Sequence, residues 1–308
     1  MSSSVAFPEY RANDPNRGRG SLLGNAYWFL KSKVLYGAAT YPYGVLRHAL
    51  LLATCDRTQS HTYTCFVRTP SQLEALAGPV LDFLGGTQLG RPLEILVLAC
   101  SNGAEAYTLA SFLSRRLPGL DFRITAADLH QEMVESARAA NYSEAEALHG
   151  EFVTPEFVAY TFDKVGERFI VKSHIRERVS FAQANLLDPA LSSKFAPADI
   201  VTTQNVLFHL QPHDARRAFE NVVPLLKPKA AFLLDGMDQS LRVELTRQHG
   251  LEPLEFKARK IYEESRVHTG LDWWHYYYGC EPYFPLRRDR ARRYGTVFLK
   301  GSAAPKGA

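Results

Sequence analysis

LEILVLACSNGAEAYTLA, residues 93–110, changes character twice within one short stretch. From Ile95 to Cys100 the run is apolar with no turn former, the pattern of a strand buried on both faces of a parallel sheet. Ser101-Asn102-Gly103 interrupts it, and Ala104 to Ala110 resumes with helix formers. A strand, a tight turn of small residues and a helix N-terminus together cradle nucleotide-type ligands: the backbone comes close and free N–H groups point outward. The turn holds one glycine, so it is not the GxGxxG of dinucleotide enzymes, and no Lys-Ser/Thr follows, so it is not a P-loop.

An acid, Glu105, stands in the first helical turn instead. A carboxylate there repels a pyrophosphate and suits a cationic or zwitterionic ligand. S-adenosylmethionine (SAM), with its ammonium and sulfonium groups, is such a ligand. An ordinary strand–turn–helix with a solvated Glu105 would show the same letters, so further residues have to decide.

The chain has 308 residues, 46% of them hydrophobic, enough for a large core built as one elaborated domain or a domain with an appendage. A net charge of +4 is mild, and the densest basic stretch, Arg287 to Arg293, is broken by Asp289; no nucleic-acid partner is expected. Cys55, Cys65, Cys100 and Cys280 are far apart and show no ligand spacing, which fits a reducing compartment and no metal site. Neither a signal pattern nor an apolar run of membrane-spanning length is seen, so a cytoplasmic protein with no membrane partner is expected. Nothing in the sequence sets an oligomeric state.

Residues 1–84 read as a polar, Gly/Pro-rich arm followed by a helical region, Leu22–Ala53, broken at Pro42 and Gly44. A helix from Thr69-Pro70-Ser71 to about Leu84 ends at Gly85-Gly86. Residues 85–300 read as the ligand-binding domain and 301–308 as a tail. Strands are predicted at Ile95–Cys100, Phe122–Ala127, Asp199–Thr203, Ala230–Asp235 and Gly295–Lys300, with helices at Ala104–Arg116, Gln131–Ala140 and Pro212–Leu226 and a turn at Lys227-Pro228-Lys229. Alternating βα units of this size predict an α/β, doubly wound sheet with right-handed crossovers. Residues 141–180 form an insert in which Phe169–Val171 and Val179–Phe181 read as short strands of a small antiparallel subdomain. Residues 251–290 form a second insertion, rich in aromatic residues.

Asp128 closes a strand one βα unit after the glycine turn, where an acid accepts hydrogen bonds from ribose hydroxyls; the competing role is to cap the Gln131 helix. Asn185-Leu186-Leu187-Asp188 follows the Val179 strand, so Asn185 is placed to read an adenine edge while leucines cover the ring. Asn205 and His209 follow the next strand and face the methionine end of the ligand or an acceptor, His209 as a candidate base. Ser101, Gly103 and Leu129 stand beside these and complete the candidate cofactor contacts.

In sequence order, ACSNGAEAYTLA, AADLHQEMVESARAANY, VSFAQANLLD, DIVTTQNVLFHL and VVPLLKPKAAFLLDG resemble the chemotaxis receptor methyltransferase (CheR) family. HTYTCFVRTPSQLEAL resembles that family's T-x-F-F-R segment, and TPEFVAYTFDKVGERFIVKSHI its small β-subdomain. The match runs from about Ser60 to Asp235. The resemblance implies a class I SAM-methyltransferase (Rossmann-like) fold. It places Thr64 and Arg68 at the methionine portion of SAM, Ala99 and Glu105 at its amino-acid end, Asp128 at the ribose, Asn185 and Leu186 at the adenine, and Asn205 near the sulfonium.

This chain also departs from the family. Gly103-Ala104-Glu105-Ala106-Tyr107 stands where the family has Gly-Glu-Glu-Pro-Tyr; Gln204 stands at its arginine, before Asn205-Val206, and His209 at its tyrosine. The N-terminal region does not resemble the family's receptor-docking helices, and the chain continues well past Asp235. Trp273-Trp274-His275-Tyr276-Tyr277-Tyr278 could wall a pocket or hold a sulfonium on its rings, with Tyr277 able to orient or deprotonate an acceptor. The expected function is therefore methyl transfer from SAM to a small-molecule acceptor, a carboxylate or an amine. A SAM lyase or cyclase that releases 5′-methylthioadenosine, and a non-catalytic SAM-binding module, are the alternatives.

Overall fold

The computed structural model describes residues 64–86, 89–265 and 283–301, with isolated helical positions at 46, 49, 50 and 53. The N-terminal arm, most of the Leu22–Ala53 pattern, the Trp273–Tyr278 rings with Tyr277, and the 302–308 tail lie outside the described residues.

The helix expected after Thr69 forms in three parts: α1 (Pro70–Ala75), a π-helical turn (Leu76–Val80) and α2 (Leu81–Leu84). Pro79 cannot donate to the helical ladder and Gly78 leaves helical geometry, so the axis kinks there. At its start the Ser71 N–H and hydroxyl donate to the Glu264 carboxylate at 2.8 and 2.7 Å, which satisfies a donor the first turn leaves open.

From Leu93 the chain alternates as expected. β1 (Leu93–Leu98) leads to α3 (Ala104–Arg116), and β2 (Phe122–Asp128) to α4 (Gln131–Ala139). β3 (Asn141–Ser143), β4 (Phe162–Val165) and β5 (Arg168–Val171) form a separate antiparallel sheet with β5 in the middle. The chain then returns through β6 (Val179–Gln183) and β7 (Ala198–Thr203), α5 (Pro212–Val222), β8 (Leu226–Leu234), α6 (Gln239–Gln248), β9 (Leu251–Pro253), α7 (Ala258–Ser265), α8 (Arg290–Tyr294) and β10 (Val297–Lys300). The main sheet has seven strands in the order β6-β2-β1-β7-β8-β10-β9, parallel except at β10.

Both faces of the sheet are covered. Ile95 and Val97 point into a core shared with Tyr107, Leu109 and Leu113 of α3 and with Leu76 and Val80 of the π-helical turn. Leu96 and Leu98 point the other way, toward Phe219 and Val222 of α5 and Leu245 of α6. That two-sided burial is why β1 reads as an unbroken apolar run. Because β1 lies between β2 and β7, the chain leaves it in opposite directions, and the loops after β1 and β7 part around a crevice at the carboxyl ends of the strands.

Two expectations are corrected. Val179–Phe181 does not belong to the insert sheet; β6 pairs in parallel with β2, Ile124 opposite Val179, and forms the edge of the main sheet. Its short, half-polar sequence is that of an edge strand, which local pattern does not assign to one sheet or the other. Lys227-Pro228-Lys229 is not a turn before a strand but a bulge within β8: Ala198 pairs with Leu226 and Ile200 with Ala231. Pro228 lacks the N–H a central ladder needs, so the strand bows out around it. Among the described residues no helix is long and apolar enough to cross a membrane.

Candidate active site

The turn after β1 is held in an unusual backbone shape. Ala99, Ser101 and Gly103 have φ of 58°, 49° and 87°, so every second residue is left-handed. For the two non-glycine residues this costs roughly 1 kcal/mol or more each. Backbone bonds offset it: the Cys100 N–H donates to Ala127 O at 3.0 Å and the Gly103 N–H to Cys100 O at 2.9 Å. The left-handed start at Ala99 also explains why β1 stops at Leu98, two residues before the predicted end. Gly103 is glycine for a second reason. A Cβ there would lie 2.9 Å from the Ala137 Cβ and 3.1 Å from the Phe181 ring, so it meets protein on that side.

Asp128 ends β2 directly beside this turn and is 7% exposed. Its Oδ2 accepts the Ser101 N–H at 2.7 Å and its Oδ1 the His130 N–H at 3.0 Å. It therefore does not cap α4, whose N-cap is His130 with no side-chain cap; it ties the turn to the end of β2. Each carboxylate oxygen keeps a lone pair for a further donor. Leu129 beside it is 45% exposed, an apolar surface at the mouth of the crevice, and its carbonyl accepts from the Gln183 amide at 2.9 Å.

Glu105 lies in the first turn of α3, partly buried, beside a pocket that also touches Thr64, Arg68, Gln72, Leu73 and Gln204. Its Oε1 accepts the Thr202 hydroxyl at 2.6 Å and the Gln204 amide at 3.1 Å; no hydrogen bond reaches Oε2 among the described residues. Burial raises the Glu105 pKa, opposed by the Thr202 bond, the charge of Arg68 and the Gln204 bond. Thr64 and Arg68, distant in sequence, are brought here because the Val67 N–H donates to the Thr108 hydroxyl oxygen at 3.1 Å. Thr108 in turn donates to Ala104 O at 2.7 Å. Sequence reading missed Thr108 and Thr202. The available signal was a hydroxyl inside an all-buried strand: Thr202 sits in β7, every position of which is buried, and so needs a partner.

Asn185 follows β6 and is exposed; its Oδ1 accepts the Leu187 N–H at 2.9 Å, and its amide N–H groups donate no hydrogen bond among the described residues. Leu186 is buried and its carbonyl accepts from Asn221 at 2.9 Å. Asn205 follows β7 with φ 53°, and its N–H donates to Asp235 O at 3.1 Å. Its side chain has no hydrogen-bond partner among the described residues. The loop continues into a 3-10 turn, Leu207–His209, where the Phe208 N–H donates to Gly236 O at 2.8 Å. Gly236 leaves no space for a Cβ, which would lie 2.6 Å from both the Asn205 Cα and the Phe208 ring. His209 packs against Phe208 with ring centres 4.0 Å apart.

The structure thus brings Thr64, Arg68 and Glu105 to one pocket, and Ser101, Asp128 and Leu129 to the neighbouring strand end. Asn185 and Leu186, and Asn205 with His209, follow β6 and β7 at the carboxyl end of the sheet, with no hydrogen bond between these groups among the described residues. No group of three His, Cys, Asp or Glu side chains among the described residues could hold a metal.

Comparison with known proteins gives this geometry a family. The probable biofilm formation methyltransferase WspC of Pseudomonas aeruginosa is 30% identical over 208 residues, 66% of this chain and 48% of that protein. Chemotaxis protein methyltransferase 1 of the same organism is 33% identical over 186 residues, 58% of this chain and 66% of that one. Chemotaxis protein methyltransferase 2 of Vibrio cholerae is 26% identical, covering 60% of this chain and 64% of its own length. The chain spans about half the length of WspC. The profile of the family described as CheR methyltransferase, SAM binding domain, matches residues 62–252. By that match, which takes in both the turn after β1 and the loop after β7, the chain belongs to the CheR methyltransferase SAM-binding domain family.

Proposed function

We propose that the chain transfers the methyl group of SAM to a small-molecule acceptor, a carboxylate or an amine, rather than to a receptor glutamate. When bound, SAM supplies a methyl carbon made electrophilic by a positive sulfonium. The residues present fit that group. Asp128, with one backbone donor on each oxygen, has capacity for two ribose hydroxyls. Glu105 Oε2 would take the ammonium and Arg68 the carboxylate of the methionine end, while Leu129 and Leu186 flank the adenine and the Asn185 amide meets its edge. The Asn205 side chain would face the sulfonium side. Ala99, Ser101 and Gly103 supply the backbone wall.

The observation that carries the acceptor reading is Gln204. Where the family resemblance places an arginine, this neutral amide spends an N–H on Glu105 Oε1 at 3.1 Å. A receptor glutamate would therefore meet no cation from this position, and His209 stands where the resemblance places a tyrosine. For a carboxylate acceptor the chain need only align the reactants and exclude water. An amine must lose a proton, and His209, or Tyr277 outside the described residues, is the candidate base.

Incubation with methyl-labelled SAM tests this. Label in a small molecule from a metabolite extract, with S-adenosylhomocysteine (SAH) formed in step, is the expected result. Label in receptor glutamates as methyl ester would overturn the acceptor assignment. Methylthioadenosine from SAM alone would replace methyl transfer by a lyase or cyclase reaction. Saturable SAM binding without turnover in any extract would leave a binding module.

A further inference from the structure

The insert sheet touches the cofactor turn through one hydroxyl. Tyr142, in β3, is 1% exposed, and its phenol donates to the Asn102 carbonyl at 2.6 Å. That carbonyl belongs to the peptide whose N–H, on Gly103, donates to Cys100 O at 2.9 Å. Both ends of the Asn102–Gly103 peptide are thus held, one from within the turn and one from the insert. The Asn102 side chain adds a bond of its own, its Oδ1 accepting the Ala104 N–H at 3.3 Å.

The same ring reaches the other wall of the pocket. Tyr142 packs edge-on against Phe66, ring centres 4.9 Å apart at 86°, and against Phe162 of β4 at 6.1 Å. Phe66 lies between Thr64 and Arg68 in the segment pinned to α3 through Val67. Burial pushes the Tyr142 phenol well above its ordinary pKa, so it stays a donor throughout the neutral range.

We infer that Tyr142 is a positioning residue: its hydroxyl sets the Asn102–Gly103 peptide of the cofactor turn and so links the conformation of the insert sheet to SAM affinity. This rests on the assignment of the turn to SAM. A free Asn102 carbonyl would let that peptide rotate, and rotation moves the left-handed pair Ser101–Gly103 and the first turn of α3 that carries Glu105. A ligand or partner that displaces β3 would act on the same bond.

The test has a built-in control. Tyr107 is also 1% exposed, packs in the same aromatic cluster, and donates its hydroxyl to Ala137 O at 2.9 Å, a carbonyl of α4 rather than of the turn. Tyr142→Phe and Tyr107→Phe each remove one buried hydroxyl and keep the ring. SAH binding is measured by calorimetry, urea unfolding in parallel, and hydrogen exchange on the peptide spanning residues 99–105. Comparable losses of stability are expected, with SAH binding weakened roughly three- to ten-fold in Tyr142→Phe and less than about two-fold in Tyr107→Phe. Exchange in the turn should quicken only in Tyr142→Phe. Unchanged SAH affinity and unchanged turn exchange in Tyr142→Phe would overturn the inference, as would equal weakening in both variants. A wild-type chain that binds no SAH would instead overturn the SAM assignment beneath it.

Discussion

Replacing Asp128 by Asn separates the two things this carboxylate can do. In the folded chain each of its oxygens already accepts one backbone N–H, from Ser101 at 2.7 Å and from His130 at 3.0 Å. An amide keeps one acceptor and presents an NH₂ where the other was, so one of those N–H groups loses its partner at a site 7% exposed. The stability cost should be about 1–3 kcal/mol, the penalty of an unsatisfied buried donor. The ligand effect is additional. A hydrogen bond from a ribose hydroxyl to a charged carboxylate contributes about 1.5–3 kcal/mol, which at about 1.4 kcal/mol per decade is a loss of roughly ten- to one-hundred-fold in affinity. Calorimetric titration of wild type and Asp128→Asn with SAH and with 2′-deoxy-SAH closes a thermodynamic cycle. The deoxy compound should bind wild type at least about ten-fold more weakly than SAH, and the variant should barely distinguish the two. If wild type itself binds both equally, Asp128 acts only as the tie between the turn and β2, and its assignment to the ribose is wrong.

Two further outcomes follow from the packing. Gly103→Ala places a Cβ 2.9 Å from that of Ala137 on a residue with φ 87°, so urea unfolding should show a loss of about 2–4 kcal/mol, with SAH able to restore only part of it. At the opposite end of the sheet, burial raises the pKa of Asp199, but Arg91 at 2.6 Å, the Glu94 N–H and Lys227 at 2.9 Å outweigh it and hold the carboxyl at about 2. A carboxyl depressed in the folded state stabilises the fold above its unfolded pKa, near 4, and that stability is lost as pH falls toward 2. Unfolding measured at pH 7 and pH 3 should show part of a contribution of about 2 kcal/mol vanish in wild type and no corresponding term in Asp199→Asn; parallel pH profiles would refute the pairing.

The periodic parts of the chain were legible because burial leaves a local trace. β1 reads as a two-sided buried strand because Ile95 and Val97 face one core and Leu96 and Leu98 the other. α3 begins where small residues give way to helix formers, and Asp128 stands out as the acid that closes an apolar strand. Those features, with the order of the motifs, were enough for the fold class, the cofactor and the family. Position along the chain also pointed to Glu105, Asn185 and Asn205, since each follows a strand at its carboxyl end.

What the sequence could not carry is any relation set by the order of strands. That β6 joins β2 rather than the insert depends on which edge is free once the sheet assembles. That Glu105 is met by Thr202 and Gln204 follows from β7 lying beside β1, residues about one hundred apart in the chain. Gly103 looks like a ligand-facing glycine in the sequence, yet its missing Cβ faces Ala137 and Phe181, which only the packing of α4 and β6 against the turn determines. Tyr142 reads as one more core aromatic, and its hydroxyl acquires meaning only from the Asn102 carbonyl it reaches. Apolar periodicity is imposed residue by residue by water, so the sequence records it. Hydrogen-bond partners are imposed by whichever strands and helices come to lie side by side, and that is decided only by the assembled tertiary structure.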